Sequence, residues 1–284
     1  MFLKGCPLRC QWCHNPEGLV RRPQIRLAPT LCTRCGRCAE VCEHEGHAVT
    51  ADAHKLLPDN CVACGECVDA CPNGALELVG KPMTVEEVLA VVRRDVPFYE
   101  QSQGGMTLSG GEPLAQPDFT AALLQAARAE GIHNVIETCA YAKWERIEAI
   151  VGLVDHWLVD VKHMDPERHR ALTGVTNNQI LANVRRLAGV APGMTIRVPW
   201  VPERNAEPGF LEALIPFVRA LNEGRAALNP IAVEIMPYHR LGLGKWESLG
   251  HTATMPADLP APSPDDVRPW LDRLREMGVE AAVT

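Results

Sequence analysis

Residues 118–162 read DFTAALLQAARAEGIHNVIETCAYAKWERIEAIVGLVDHWLVDVK. Two segments with apolar residues at helical spacing, 118–131 and 143–152, are each followed by a short strand-like run, NVIETC (134–139) and HWLVDVK (156–162). Helix, strand, helix, strand in succession is the pattern of parallel strands joined by crossover helices. The alternation continues in both directions. Downstream, NNQILANVRRLAG (177–189) precedes MTIRVPWV (194–201), and FLEALIPFVRALNEG (210–224) precedes IAVEIMP (231–237). Upstream, TVEEVLAVVRRDVPFYEQ (84–101), with Thr84 as its cap and acidic residues in its first turn, precedes MTLS (106–109). With the opening MFLKG as the first strand, six strands are expected, and PSPDDVRPWLDRLREMGVE (262–280) supplies a last helix. The fold class is α/β, a parallel sheet or partial barrel.

At 284 residues the chain is long enough for one large α/β domain or two smaller ones. Hydrophobic residues make up 46% and charged residues 22%, a globular balance that excludes a disordered chain. The formal net charge of -7 leaves no basic stripe, so neither nucleic acid nor an anionic membrane surface is expected as a partner. No apolar run reaches the ~18 residues of a membrane span, and the start lacks the basic and apolar segments of a secretory leader. A cytoplasmic protein is expected. Twelve cysteines in such a chain point to metal, because that compartment keeps thiols reduced and a core of this size needs no staples.

Eight of the twelve cysteines fall in two copies of CxxCxxCxxxC, namely CTRCGRCAEVC (32–42) and CVACGECVDACP (61–72). The repeat of about thirty residues resembles the bacterial two-cluster ferredoxins, where three close cysteines wrap one cubane and the fourth reaches across to the other. That resemblance assigns Cys32, Cys35, Cys38 and Cys71 to one cluster, and Cys61, Cys64, Cys67 and Cys42 to the second. Zinc ribbons are the competing reading, but zinc knuckles pair two CxxC or CxxH units and need no third cysteine two residues further on. The first copy has Glu43 after Cys42 where the second has Pro72 after Cys71, a difference of loop geometry more than of ligation. With a full cysteine set at hand, His44, His47 and His54 read as solvated or hydrogen-bonded side chains.

The loop after the first strand reads CPLRCQWC (6–13) and spaces Cys6, Cys10 and Cys13 as CxxxCxxC. Four protein ligands close a tetrahedral site or complete a four-iron cubane. Three leave one metal position open, and an open position binds substrate or cofactor. In a parallel barrel the ligand site lies at the carboxyl ends of the strands, and the unusual residues fall there. Ser109, Gly110, Gly111 and Glu112 follow the second strand, and Glu137 and Thr138 end the third. Asp160 and Lys162 end the fourth, Arg197 lies on the fifth, and the sixth runs into Pro237, Tyr238 and His239. Singly these are weak signals. Glycine pairs are mostly turns, Asp160 and Lys162 also read as a surface ion pair, His239 as a structural histidine, and Cys139 as a buried thiol. Their order along the strands, taken with CxxxCxxC, gives them weight.

CPLRCQWCHNPEG, TLSGGEP, ETCAYA, DVKHMD and PYHRLGLGKW, in this order, resemble the radical S-adenosylmethionine (SAM) activating enzymes of glycyl-radical enzymes, the group that includes the pyruvate formate-lyase activating enzyme. The eight-cysteine insert resembles the larger subgroup with two extra clusters. The resemblance spans residue 2 to about 246. It implies a partial (β/α)6 barrel of radical SAM type with an inserted two-[4Fe-4S] ferredoxin-like module. The divisions are 1–20 for the first strand and cluster loop, 21–81 for the insert and 82–284 for the rest of the barrel.

The same resemblance implies that Cys6, Cys10 and Cys13 hold a [4Fe-4S] cluster, the third of the chain, whose open iron chelates the amino and carboxylate groups of SAM. Trp12, Cys13 and His14 would line the adenine side. Gly111, in the loop with Gly110 and Glu112, would bind the methionine amino group. Asp160, Val161, Lys162 and His239 would hold the methionine and ribose parts, with Arg197 beside them. Glu137, Thr138 and Asp160 match the place where the pyruvate formate-lyase activating enzyme binds a monovalent cation, with Glu137 standing where that enzyme has Asp. The implied reaction passes one electron to the sulfonium of SAM and breaks a carbon–sulfur bond. The resulting 5'-deoxyadenosyl radical takes hydrogen from a glycine of a partner glycyl-radical enzyme. The insert clusters would relay electrons from a reduced flavodoxin or ferredoxin, or serve as structure. Relatives carry further residues before the cysteine loop, including Asp-Gly-Pro-Gly; here Met1 stands in their place, which implies either another start or a shortened first strand and partner surface.

Two other functions fit parts of the sequence. One is a radical SAM enzyme with auxiliary clusters acting on a small molecule or peptide, against which PYHRLGLGKW speaks. The other is an iron-sulfur electron carrier, against which the three-cysteine loop speaks, since a carrier gains nothing from an open, oxygen-sensitive iron.

Overall fold

The computed structural model describes residues 1–225 and 228–284. The chain opens with β1 (Phe2–Leu3), and the insert follows after the cysteine loop. Within it, β2 (Gln24–Leu27) pairs antiparallel with β5 (Leu76–Val79), and β3 (His47–Val49) with β4 (His54–Leu56). Its helices are single turns, α1 (Arg37–Glu40) and α2 (Glu66–Asp69), each started by a left-handed glycine, Gly36 (φ +83°) and Gly65 (φ +94°). The repeat is visible in the backbone. Arg34 (φ +57°) and Ala63 (φ +58°), at equivalent places in the two runs, share a conformation that costs a non-glycine residue energy. Ile25, Leu27, Leu56 and Leu76 pack with Cys38 and Cys67 into a small core of the insert's own.

After the insert come α3 (Val85–Val92), α4 (Val96–Ser102), β6 (Gly105–Gly110), α5 (Pro117–Ala129), β7 (His133–Thr138) and α6 (Trp144–Glu148). They are followed by β8 (His156–Asp160), α7 (Pro166–Thr173), α8 (Asn178–Val190), β9 (Gly193–Trp200), α9 (Pro208–Glu223) and β10 (Ala232–Pro237). The chain closes with α10 (Leu243–Ser248), α11 (Pro264–Glu276) and β11 (Ala281–Val283). Thr84 caps α3 as expected: its hydroxyl accepts from the Glu87 amide, and the Glu87 carboxylate accepts from the Thr84 amide at 2.7 Å. The single helix expected over 84–101 is broken, because Pro97 has no amide to continue the hydrogen-bond ladder and starts α4 instead.

Among the described residues one parallel sheet runs β1-β6-β7-β8-β9-β10-β11. The six expected strands are all in it, and β11, a three-residue run absent from the sequence reading, adds a seventh beside β10. β1 and β11 are the two edges, so the sheet is open and does not close into a complete barrel. Leu108, Ile136, Trp157, Ile196 and Val233 from its strands are fully covered by Leu123, Val184, Leu214 and Leu274 and their neighbours on the helices. Burial on that scale, at roughly 1.5–3 kcal/mol per large apolar side chain, makes the sheet a rigid platform for the loops at its ends.

Candidate active site

The parallel register sets the carboxyl ends of the strands level. Leu3 lies beside Gly110, Thr138 beside Val159, Asp160 beside Arg197 and Trp200 beside Pro237. At this mouth is a cavity of about 400 Å³, within the roughly 300–1,000 Å³ of small-molecule sites. Cys6, Cys10, Trp12, Cys13 and His14 form one wall. Ser109, Gly110, Gly111, Glu137, Thr138, Cys139, Asp160, Lys162, Arg197, Tyr238 and His239 form the others.

The cysteine loop is held by backbone. The Gly5 amide donates to Gly18 O (2.7 Å), Gly111 to Leu3 O (2.8 Å), Glu112 to Gly5 O (2.8 Å) and Arg9 to Thr173 O (2.7 Å). A Cβ on Gly111 would lie 2.2 Å from Gly18 O and 2.5 Å from Gly5 O, and Gly110 (φ +116°) is as close to Leu3. The glycine pair is therefore needed first for the approach of the cysteine loop to the second strand end. PYHRLGLGKW clamps the loop from the other side. Trp246 Nε1 donates to Cys13 O (3.0 Å), Lys245 Nζ reaches Asn15 Oδ1 (2.9 Å) and Glu17 Oε1 (2.8 Å), and Gly242 lies against His14 with no room for a Cβ. Trp12 is buried with Leu172, Val201, Tyr238, Met255 and Leu259.

Two expected contact residues sit behind the wall. Glu112 is fully buried and its carboxylate accepts from the Leu114 amide (3.0 Å), the Thr138 hydroxyl (2.7 Å) and the Cys139 amide (2.8 Å). Burial pushes its carboxyl up, partly offset by those bonds. Val161 is buried and donates its amide to Arg197 O (2.9 Å). Of the residues matching a cation position, Glu137 accepts from Arg197 Nη1 (2.5 Å) and from the Ser109 hydroxyl, and Asp160 pairs with Lys162 (2.6 Å). Arg197 also faces Glu234, at 3.3 Å.

Burial pushes the thiols up, Cys6 to about 12 and Cys10 and Cys13 to about 11, so a metal that takes them as thiolates must expel protons. Cys139 is also pushed well up, by burial and then by Glu112, which makes it an inert thiol. Burial opposes the charge on Lys162, but Asp160 and the neighbouring thiols outweigh it and hold the ammonium above its ordinary range. Burial, and then His239 stacked on it at 4.0 Å between ring centres, lowers His14 to about 4. His14 Nε2 and Asp160 Oδ1 are buried without a hydrogen-bond partner.

Sequence reading missed Asn205, which no pattern marks. It is fully buried, donates to Lys162 O (3.0 Å) and Pro199 O (2.6 Å) and accepts from the Val201 amide (2.8 Å), so it fixes two cavity-lining loops. In the insert, one small cavity is lined by Cys32, Cys35, Cys38 and Cys71, and another by Cys42, Cys61, Cys64 and Cys67. Each takes three cysteines from one run and the fourth from the other.

Residues 24–77 match the 4Fe-4S dicluster domain family and residues 59–209 the radical SAM superfamily. A three-cysteine loop at the mouth of a parallel α/β sheet, with a two-cluster module inserted beside it, defines the class: a radical SAM protein with additional iron-sulfur sites. The chain is 42% identical to the choline trimethylamine-lyase activating enzyme of Oleidesulfovibrio alaskensis, over 88% of this chain and 81% of that one. It is 40% identical to the trans-4-hydroxy-L-proline dehydratase activating enzyme of Clostridioides difficile, over 88% and 81%. The benzylsuccinate synthase activating enzyme of Thauera aromatica is 36% identical, over 89% and 77%. Among solved structures, a domain of the pyruvate-formate lyase-activating enzyme from Bacteroides vulgatus aligns with TM-score 0.52 and 26% identity over 64% of this chain and 99% of that one. Streptococcus suis SuiB, 13% identical, shares the fold with TM-score 0.58 over 99% of this chain and 47% of its own. The chain belongs to the activating enzymes of glycyl-radical enzymes, oxidoreductases that use SAM and a [4Fe-4S] cluster to generate a radical on a partner. Among the described residues, no helix is long and apolar enough to cross a membrane.

Proposed function

We propose that Cys6, Cys10 and Cys13 bind the [4Fe-4S] cluster that holds SAM, that the two insert cavities each bind a further [4Fe-4S] cluster, and that a glycine of a glycyl-radical enzyme enters the barrel mouth. The observation that carries the reading is the convergence of the three cysteines on a cavity whose lining residues hold two unpartnered buried polar atoms, His14 Nε2 and Asp160 Oδ1. A zwitterionic, hydrogen-bonding ligand fits that donor set. Bound there, the cluster and SAM supply the one-electron cleavage chemistry of the family.

The residues of the chain orient and enclose. Gly111 has already given its amide to Leu3, so its carbonyl is left to accept from the methionine amino group. Lys162 and Asp160 present opposite charges to the methionine and ribose parts, and His239 closes over them. Trp12, Cys13 and His14, with His239 stacked behind, make the flat adenine side. Glu112 and Val161 act from behind, holding the second and fourth strand ends in place. Glu137 and Asp160 are neutralised from within by Arg197 and Lys162, which take the role a monovalent cation would have. A glycine suits the reaction because nothing beyond its Cα obstructs approach. Flavodoxin or ferredoxin would deliver the electrons, in the cytoplasm. The relatives are named for different lyases and dehydratases at comparable identity, so the likeness does not choose among partners.

The test is anaerobic reconstitution. About 12 iron per chain are expected, three cubanes of four, and about 8 after Cys6, Cys10 and Cys13 are replaced together. With reductant the protein should cleave SAM to 5'-deoxyadenosine, and Cys10→Ala should not. Incubation with the glycyl-radical enzyme encoded nearby should give a glycyl radical by electron paramagnetic resonance, with deuterium from an α-labelled glycine in the 5'-deoxyadenosine. Zinc in place of iron, or deuterium transfer from a small metabolite with no protein radical, would refute it.

A further inference from the structure

Counting ligands leaves the histidines of the insert over, and two of them stand between its two cysteine cavities. His54, which opens β4, lines the cavity of Cys32, Cys35, Cys38 and Cys71. His47, which opens β3, lines the cavity of Cys42, Cys61, Cys64 and Cys67. The antiparallel register pairs Val49 with His54 and Leu56 with His47, so the two histidines are diagonal neighbours on one face of the hairpin. His47 Nδ1 lies 3.0 Å from His54 Nε2, and His54 Nδ1 lies 3.3 Å from Cys32 Sγ.

The direction of both contacts follows from one requirement. A cysteine that ligates iron is a thiolate and only accepts, and a neutral imidazole has one N–H and one bare nitrogen. Cys32 Sγ, 3.3 Å from His54 Nδ1, is nearer than Cys38 Sγ, 3.8 Å from His54 Nε2, so His54 carries its proton on Nδ1 and donates it to Cys32. Its Nε2 is left bare, and His47 Nδ1–H supplies the donor that Nε2 needs.

We propose that His54 is a built-in hydrogen-bond donor to the Cys32 thiolate, held in the donating tautomer by His47, and that it raises the reduction potential of the first insert cluster. The inference rests on the reading that each insert cavity binds a cubane. Reduction adds negative charge to the cluster and its sulfurs, and an N–H pointing at a sulfur stabilises the reduced form more than the oxidised one. A cluster so raised is the first to fill when a donor delivers electrons. The equivalent second-run cysteine, Cys61, has the Ala63 amide as its sulfur's neighbour at 3.4 Å and no histidine, so the two clusters differ in this respect.

The experiment is a redox titration of the reconstituted full-length protein, followed by electron paramagnetic resonance, with iron determined in each sample. In His54→Leu one insert wave should move to lower potential by about a tenfold change in the oxidised-to-reduced ratio, or 59 mV for a one-electron couple. The wave that SAM perturbs should stay. His54→Asn, whose amide nitrogen stands where Nδ1 does, should retain most of the wild-type potential. His54→Gln, whose amide stands nearer Nε2, should follow His54→Leu, and His47→Leu should give a smaller shift of the same sign. Iron should hold at about 12 throughout. An unchanged potential in His54→Leu with full iron overturns the proposal. So does a directly bound histidine nitrogen in pulsed resonance of ¹⁵N-histidine protein, which would make His54 a ligand or part of a separate ion site with Cys38 and His47. Wild-type iron too low for two insert cubanes would overturn the underlying reading and the proposal together.

Discussion

Gly111→Ala isolates what the SGGE loop does. The added Cβ would start 2.2 Å from Gly18 O, 2.5 Å from Gly5 O and 2.8 Å from Gly5 C, all backbone atoms of the segments flanking the cysteine loop. None can swing aside as a side chain would, so the two loops must part by roughly 1 Å to regain ordinary contact. The bonds from Gly111 to Leu3, from Glu112 to Gly5 and from Gly5 to Gly18 cross that junction. At about 1 kcal/mol each, their weakening costs about 2–3 kcal/mol of local stability. The larger effect is on geometry: a displacement of about 1 Å between the three cysteines and the opposite wall is expected to lower SAM cleavage about a hundredfold. The assay is 5'-deoxyadenosine formed per minute under dithionite, on protein whose iron equals that of wild type. Gly189→Ala is the control, since nothing lies within 4 Å of a Cβ there and it sits in α8; it should keep full activity and gain about 0.5–1 kcal/mol. Cleavage by Gly111→Ala within twofold of wild type would refute the close-approach account.

Arg197→Met should leave Glu137 and Glu234 facing each other without their guanidinium. SAM cleavage by this variant should come to depend on potassium or sodium while wild type tolerates exchange for a bulky organic cation; strict dependence in wild type would show that Arg197 does not replace the ion. Asn205→Ala should lower the unfolding free energy by about 1–3 kcal/mol, because three buried backbone groups lose their partner; denaturant midpoints measure it, and an unchanged midpoint would count against the assignment. His169 is buried, and burial lowers its folded pKa below the ordinary histidine value. The unfolded chain therefore binds the proton first as pH falls, and stability from this group, present above pH ~6.5, is lost below it. The stability difference between wild type and His169→Gln should accordingly shrink from pH 8 to pH 5.5, as read by thermal unfolding, and a difference that grows instead would contradict the sign.

The alternation of helices and strands was legible because long amphipathic segments such as 118–131 and 177–189 bury one face and carry the period that does so. β11 was not, since Ala281–Val283 is too short to show any period, and its place comes only from its register against Val233–Ile235. The cysteines and strand-end residues were legible because their chemistry is rare. Which of them face the cavity was not. Glu112 follows two glycines at a strand end just as a contact residue would, yet two donors at the next strand end, Thr138 and Cys139, and the Leu114 amide of its own loop draw its carboxylate inward. Gly111 was expected as a contact of the methionine amino group, but sequence could not tell that the chain's own Gly18 carbonyl is what leaves no room for a side chain there.

The position of the insert gives the two proposed clusters unequal places. Its second cysteine cavity adjoins the barrel: Cys61 shares a cavity wall with Leu249 and His251 at the end of α10, and Arg22, at the start of the insert, donates to Cys61 O at 2.6 Å. His251 meets Trp246 edge-on at 6.2 Å, and Trp246 donates to the carbonyl of Cys13. A continuous packed path thus joins the Cys61 side of the insert to the loop of Cys6, Cys10 and Cys13. The cavity of Cys32, Cys35, Cys38 and Cys71 has no such tie in its wall, and Cys35, Arg34 and Arg37 on its rim are exposed. On the proposed ligand sets, the outer cluster is the one that His54 makes easier to reduce, and the inner one adjoins the SAM loop. Electrons collected at the Arg34–Arg37 rim would then cross the His47–His54 hairpin before reaching Cys61. This order also accounts for an insert placed directly after the first strand and its cysteine loop, since that position brings the inner cavity against the segment that clamps Cys13.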